Sequence, residues 1–175
     1  VVVAMDSFKG SLSSLEAGNG VKEGILKAIP EANVGVYPLA DGGEGTVEAL
    51  VLGLNGKLEK VMVTGPLGEP VECTYGILEA TGTAVIEMAG AAGITLVPEK
   101  NRNPLNTTTY GVGEVIKDAI RKGCRHFIVG IGGSATNDGG IGMLQALGYD
   151  MLDRNGKQVA FGAKGLEQLV TIGDE

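Results

Sequence analysis

The chain has 175 residues, a formal net charge of −7 and no cluster of Lys and Arg, which argues against nucleic acid and anionic membrane as partners. Hydrophobic residues make up 43% but aromatics only 4%, with no Trp, so a core has to be built from Val, Ile, Leu and Ala. The 30 glycines follow no period, which excludes collagen; they gather in turns after apolar runs, as α/β proteins place them. There is no signal-peptide pattern and no apolar run of ~18 residues. The reading is a cytoplasmic protein without a membrane span. The two cysteines, Cys73 and Cys124, lack metal spacing and read as buried free thiols in a reducing compartment. The Val at position 1 reads as the result of a lost initiator segment.

Val1–Met5 is a short apolar, β-branched run, the pattern of a strand buried on both faces. Ser13 and Ser14 are candidate N-caps. Ala17, Val21, Ile25, Ala28 and Ile29 then repeat at helical spacing up to Pro30, although Gly18, Gly20 and Gly24 weaken that helix. A second strand is predicted over Asn33–Leu39 and a helix over Thr46–Leu54. Two strands, Lys60–Thr64 and Val71–Leu78, flank the Pro/Gly turn at Gly65–Pro70 and form a hairpin. Ala84–Met88 reads as a third antiparallel strand. A helix with Val112, Val115, Ile116, Ala119 and Ile120 on one face closes at Lys122–Gly123. His126–Ile131 is predicted as another buried strand, Ile141–Leu147 as a short helix and Arg154–Lys157 as a tight turn. No further strong element is predicted before Glu175.

Strand–loop–helix units on either side of a hairpin segment argue for the α/β class: a doubly wound, mostly parallel sheet with an inserted α+β piece beginning near residue 60. Only three parallel strands stand out, and such a sheet leaves bare edges. Further chain or a partner is therefore expected to complete it.

In open α/β sheets, ligands bind outside the carboxyl ends of the strands. Asp6, Asp41 and the 132–140 loop all fall there. Glycine-rich turns free backbone N–H groups, and carboxylates beside them can hold a metal, a pairing that suits a metal-bound polyphosphate. The run Gly130-x-Gly132-x-x-Ala135 has the dinucleotide form, with Asp150 at the matching distance. However, Thr136–Gly140 delays the helix, so a phosphate-cradling loop fits better. In that loop Gly132, Gly133 and Ser134 offer amides, and Asn137 and Asp138 face ligand or metal. There is no Gly-x4-Gly-Lys-Ser/Thr and no protein-kinase motif set. Lys9, on a tight loop after Asp6-Ser7, suits neutralising a transferred phosphoryl group. Asp41 and Glu44 flank two glycines; Asp41 is a candidate metal ligand or base, against the plainer reading of a turn-starting Asp. Thr108 or Thr109 is a candidate N-cap, and Arg102 a candidate carboxylate clamp against the plainer reading of a surface arginine. His126, the only histidine, reads as structural, so a Ser-His triad is weak. Met62, Met88 and Met143 read as core filler. Two rival functions remain open at this stage: a non-catalytic phospho-ligand binding module and a nicotinamide-dependent oxidoreductase.

Several motifs, in order and over nearly the whole chain, resemble the bacterial glycerate kinase family of the glycerate 2-kinase type. They are Asp6–Ser13, Leu39–Thr46, Val63–Gly68, Asn103–Leu105 with Thr107–Gly111, and Gly130–Gly148. The resemblance implies a Rossmann-like domain, here over 1–59 and 104–175 and incomplete, interrupted by the start of a second α+β domain over 60–103. It implies transfer of the γ-phosphoryl group of ATP to D-glycerate with Mg²⁺. On the matching motifs, Asp41 and Lys9 are carried as catalytic. Asp6, Ser7, Gly42, Gly43, Gly132, Gly133, Ser134 and Asn137 are carried as substrate- or phosphate-binding, and Asp138 as metal-binding; Arg102, outside these motifs, joins the substrate-binding candidates as the carboxylate clamp. Members of the family are longer, so a C-terminal half is expected as a partner in the complete site. A homo-oligomer is left open.

Overall fold

The computed structural model describes residues 1–8 and 11–173; Lys9, with the role expected of it, lies outside them. The chain is an α/β protein. Strand β1 (Val2–Met5) pairs in parallel with β2 (Gly35–Pro38), and the helix between them, α1 (Ser14–Ala28), makes the crossover that parallel strands need. Ser13 is the N-cap of α1. Its side chain accepts from the Glu16 amide while the Glu16 carboxylate accepts from the Ser13 amide, a reciprocal capping box. One of the three glycines that weaken this helix, Gly18, has a packing reason. A Cβ on Gly18 would sit 2.5 Å from Cγ1 of Val36, so the missing side chain lets α1 lie close against β2.

A four-stranded sheet follows. β3 (Lys57–Thr64) and β4 (Pro70–Leu78) form the expected hairpin, with Val61 opposite Cys73. β5 (Thr83–Glu87) runs antiparallel to β4. The other edge of β5 pairs in parallel with β6 (His126–Gly130), with Glu87 opposite Gly130. The hairpin strands and β6 thus share one sheet. One face carries α4 (Tyr110–Arg121) and the short α3 (Ala89–Ala92) over Tyr75, Ile86, Val112 and Val115; the other carries α2 (Thr46–Gly53), which packs Val47 and Val51 on Leu78 and Val85. Both cysteines are buried and free, as expected.

Three expectations change. Val1–Met5 is not buried on both faces: Val3 is buried but Val2 is 72% exposed, because among the described residues β1 has β2 as its one strand neighbour and α1 as its covering helix. The β6 run is likewise open, with Ile128 44% exposed, since β6 pairs with β5 alone among the described residues. Met62 points to solvent from the hairpin and fills no core. The last segment is also more ordered than predicted. α5 (Ile141–Leu147) leads into β7 (Asp150–Leu152), α6 (Ala163–Leu166) and β8 (Thr171–Gly173), with β7 and β8 antiparallel and Met151, Ile141 and Val159 buried together. Strands of three residues carry too little periodicity to be seen in sequence. Among the described residues, no helix is long and apolar enough to cross a membrane.

Candidate functional site

The site begins where β1 and β2 end. The Leu39 amide donates to the Met5 carbonyl at 3.0 Å, extending the parallel ladder by one step. The Ser14 hydroxyl donates to that same carbonyl and accepts from the Leu39 amide at 3.2 Å. The first residue of α1 therefore pins the two strand ends from which Asp6-Ser7 and Ala40-Asp41 emerge. The Asp6 carboxylate accepts from the Ser7 amide at 2.6 Å through Oδ1, and Asp41 accepts from the Gly43 amide at 3.1 Å, also through Oδ1. Each is exposed, and among the described residues no protein donor meets Oδ2 of either. Ser7, Ser11, Ser13, Glu44, Gly45 and Glu48 line a cleft of about 260 Å³.

The glycine loops meet directly. The Gly132 amide donates to the Gly42 carbonyl at 3.0 Å, and a Cβ on Gly132 would lie 2.6 Å from the Gly43 Cα. Only glycine permits this backbone-on-backbone approach. The far side of the loop is held as well: Met88 donates to the Gly130 carbonyl, Ile94 to that of Gly133, and Ala135 to the Ala92 carbonyl. The Gly132 amide, expected to cradle phosphate, is therefore engaged by the protein itself. Those of Gly133 and Ser134 donate to no protein group among the described residues. The Ser134 hydroxyl accepts from the Thr136 amide at 3.0 Å. Asn137 stays exposed at the rim of an apolar groove formed by Val112, Val129, Ile131 and Met143.

Asp138 has a different task from the one expected. It is 1% exposed, and its carboxylate accepts from the Thr109 amide at 2.9 Å, the Thr109 hydroxyl at 2.9 Å, the Gly140 amide at 3.0 Å and the Gly142 amide at 3.4 Å. These four donors make Asp138 a buried clamp between the start of α4 and the 138–142 turn. Thr109 is the N-cap of α4, yet its side chain does not cap; its hydroxyl accepts from the Met143 amide instead, and Asp138 supplies the negative charge that the helix start attracts. Arg102 is exposed and its Nε donates to the Val97 carbonyl at 3.3 Å, which leaves it beside its own turn. His126 is exposed at the start of β6. No cluster of three or more His, Cys, Asp or Glu side chains suited to a metal occurs among the described residues.

Sequence reasoning missed one acidic group. Glu87 ends β5, and Oε1 accepts from the Val47 amide in the first turn of α2 at 2.7 Å. Burial pushes its carboxyl above the ordinary value, against the lowering pull of nearby backbone amides. The available signal was a carboxylate at a strand's carboxyl end. It was hidden because β5 read only as part of an antiparallel meander.

Asp6, Ser7, Asp41, Gly42, Gly43, Gly132 and Gly133 are thus carried by loops in contact, while Arg102 stands beside the Val97 turn and Asp138 at the start of α4. Comparison with known proteins gives this arrangement a family. The glycerate kinase family model matches residues 1–175. The chain belongs to the glycerate kinase family. It is 51% identical over 172 residues to a glycerate kinase of Bacillus subtilis (strain 168), and 48% identical over 172 residues to the glycerate 2-kinase of Escherichia coli (strain K12). Each match covers 98% of this chain and 45% of the relative. The crystal structure of a protein from Salmonella typhimurium LT2, provisionally designated glycerate kinase 2, superposes with a TM-score of 0.87 at 49% identity, over 98% of this chain and 47% of that one. The chain spans about half the length of the relatives it matches.

Proposed function

We propose that this chain forms the part of an ATP-dependent kinase that receives D-glycerate and the transferred phosphoryl group, giving 2-phosphoglycerate. The observation that carries the reading is the contact between the Asp41–Gly43 and Gly130–Ser134 loops in a chain of this family: the loop that bears the exposed Asp41 touches Gly132, which is followed by the unengaged amides of Gly133 and Ser134. Those amides hold phosphate oxygens. Asp41 orients or deprotonates the attacking hydroxyl, and the serine-lined cleft beside Ser7 receives the hydroxy acid. Lys9 neutralises charge on the phosphoryl group.

The donor set fits Mg²⁺, which needs one or two carboxylates plus phosphate oxygens; Asp41 and Asp6, each with a free oxygen, would hold it. When bound, the ion offsets phosphate charge. The protein's own contribution is positioning and electrostatics, the main sources of rate in phosphoryl transfer. The remaining length of the relatives completes the enzyme, and the open edge of β6 supports that. A reducing, cytoplasmic setting suits the two buried thiols.

The test is ADP release by the full-length protein given ATP, Mg²⁺ and D-glycerate. Asp41→Asn is expected to lower kcat by ~10²–10⁴-fold with little effect on KM for ATP. Unaltered turnover would reject the role of Asp41. Tight binding of a phosphorylated acid without any ADP release would reject the kinase reading.

A further inference from the structure

The start of α2 lacks a cap of its own. Its N-cap is Gly45, with φ 90° and no side-chain hydrogen bond. The Asp41–Gly45 loop runs straight into this uncapped turn. What holds the turn is Glu87, from 40 residues further along the chain, through the 2.7 Å bond from the Val47 amide. The amides of Gly45 and Thr46 also act on the carboxylate. Glu87 stands opposite Gly130 in the β5–β6 register, the strand end from which the second glycine loop departs. The Asp41–Gly45 loop is therefore fixed at two points. Gly42 is bonded to Gly132, and the loop's far end is bonded to Glu87. Asp41 directly precedes the first of these anchors.

The energetics separate this contact from an ordinary cap. Burial raises the Glu87 carboxyl above its ordinary 4.5, the charge of Glu44 acts in the same direction, and the amides of Val47, Gly45 and Thr46 oppose. With the folded value raised, the stability this group contributes is complete below its unfolded value and is lost as pH rises through the folded one. Burial thus opposes the charged form that the amides at the start of α2 favour. A carboxylate that burial penalises, yet that bonds the uncapped start of α2 beside the Asp41–Gly45 loop, is explained by the loop it holds.

We propose that Glu87 is a positioning residue for the phosphoryl-transfer site: its carboxylate holds the Asp41–Gly45 loop against the Gly130–Ser134 loop. Because it already fills the amino end of α2, it also closes that end to a second anion and leaves the transferred phosphate to the Gly133 and Ser134 amides. This rests on the kinase reading above.

Two variants of the full-length protein, Glu87→Gln and Glu87→Ala, test it through three readouts. Hydrogen exchange of the amides at 45–47 is expected to quicken at least ~10-fold in both, since their acceptor is weakened or gone. The midpoint of thermal unfolding of Glu87→Gln is expected to stay level or rise. The kcat for glycerate-dependent ADP release is expected to fall ~10–100-fold, as displacement of a reacting group produces, with KM for ATP within about twofold of wild type. Wild-type exchange at 45–47 in both variants, or wild-type kcat in Glu87→Ala, would overturn the proposal. So would a clear drop in the midpoint of Glu87→Gln that accounts for the lost activity. If the unmodified protein releases no glycerate-dependent ADP, that failure falls on the kinase reading, and hydrogen exchange still decides whether Glu87 holds the loop. If Glu87→Ala does not fold, Glu87→Gln carries the test.

Discussion

Removing the Asp138 carboxylate should unfold this protein sooner than removing any other surface-loop acid. The side chain is buried and accepts three hydrogen bonds of 2.9–3.0 Å from Thr109 N–H, Thr109 O–H and Gly140 N–H, with a longer one from Gly142. Asp138→Ala leaves those donors facing a small void. The Thr109 hydroxyl can turn away, but the buried amides of Thr109 and Gly142 cannot. An unsatisfied buried donor costs about 1–3 kcal/mol, and loss of negative charge at the start of α4 adds about 0.5–1 kcal/mol. The expected loss is about 3–5 kcal/mol, a large share of a typical stability of about 5–15 kcal/mol. Asp138→Asn keeps the volume and one acceptor but turns an NH₂ group toward an amide donor, so about 2–4 kcal/mol should go. Urea unfolding followed by circular dichroism measures both. A loss below about 1 kcal/mol for Asp138→Ala would refute the clamp. So would stabilisation of the wild type by Mg²⁺ alone that disappears in the variant, because the carboxylate would then be serving a metal.

Gly132→Ala should separate the two glycine loops: its Cβ would meet the Gly43 Cα at 2.6 Å and the Gly43 nitrogen at 2.9 Å, both backbone, with an expected stability loss of about 1–3 kcal/mol and a larger fractional loss of turnover, read by unfolding and ADP release on the same preparation. Burial raises the Cys73 thiol from 9.0 to about 11. The stability this gives is complete below about pH 9 and is lost as pH rises toward 11, a difference of up to about 3 kcal/mol; Cys73→Ala should flatten that part of the alkaline unfolding profile, and an unchanged slope would reject it. In the folded protein at pH 8, Cys73 should react with a thiol reagent only as fast as the fold opens.

Much of the local architecture was open to reading in one dimension. Ser13 and Glu16 announce the start of α1 because a capping box involves residues three apart. The Gly65–Pro70 turn announces its hairpin because the two strands it joins are neighbours in the chain. The contact between the two glycine loops followed from a rule about strand ends, applied to Asp41 and Gly132 separately. Asp138 misled because composition alone cannot distinguish a carboxylate aimed at solvent from one aimed at the start of a helix.

What the amino-acid order determined by itself was the class of fold, the family motifs and the identity of the loops, since turn chemistry, capping and periodicity act over a few residues. What only the tertiary structure decided was which acid does what. β5 pairs with β6 across almost forty intervening residues, and that register brings Glu87 to α2, while the approach of α4 to the 138–142 turn seals Asp138 from water. Long-range pairing and burial set these roles, and neither leaves a periodic trace in the chain.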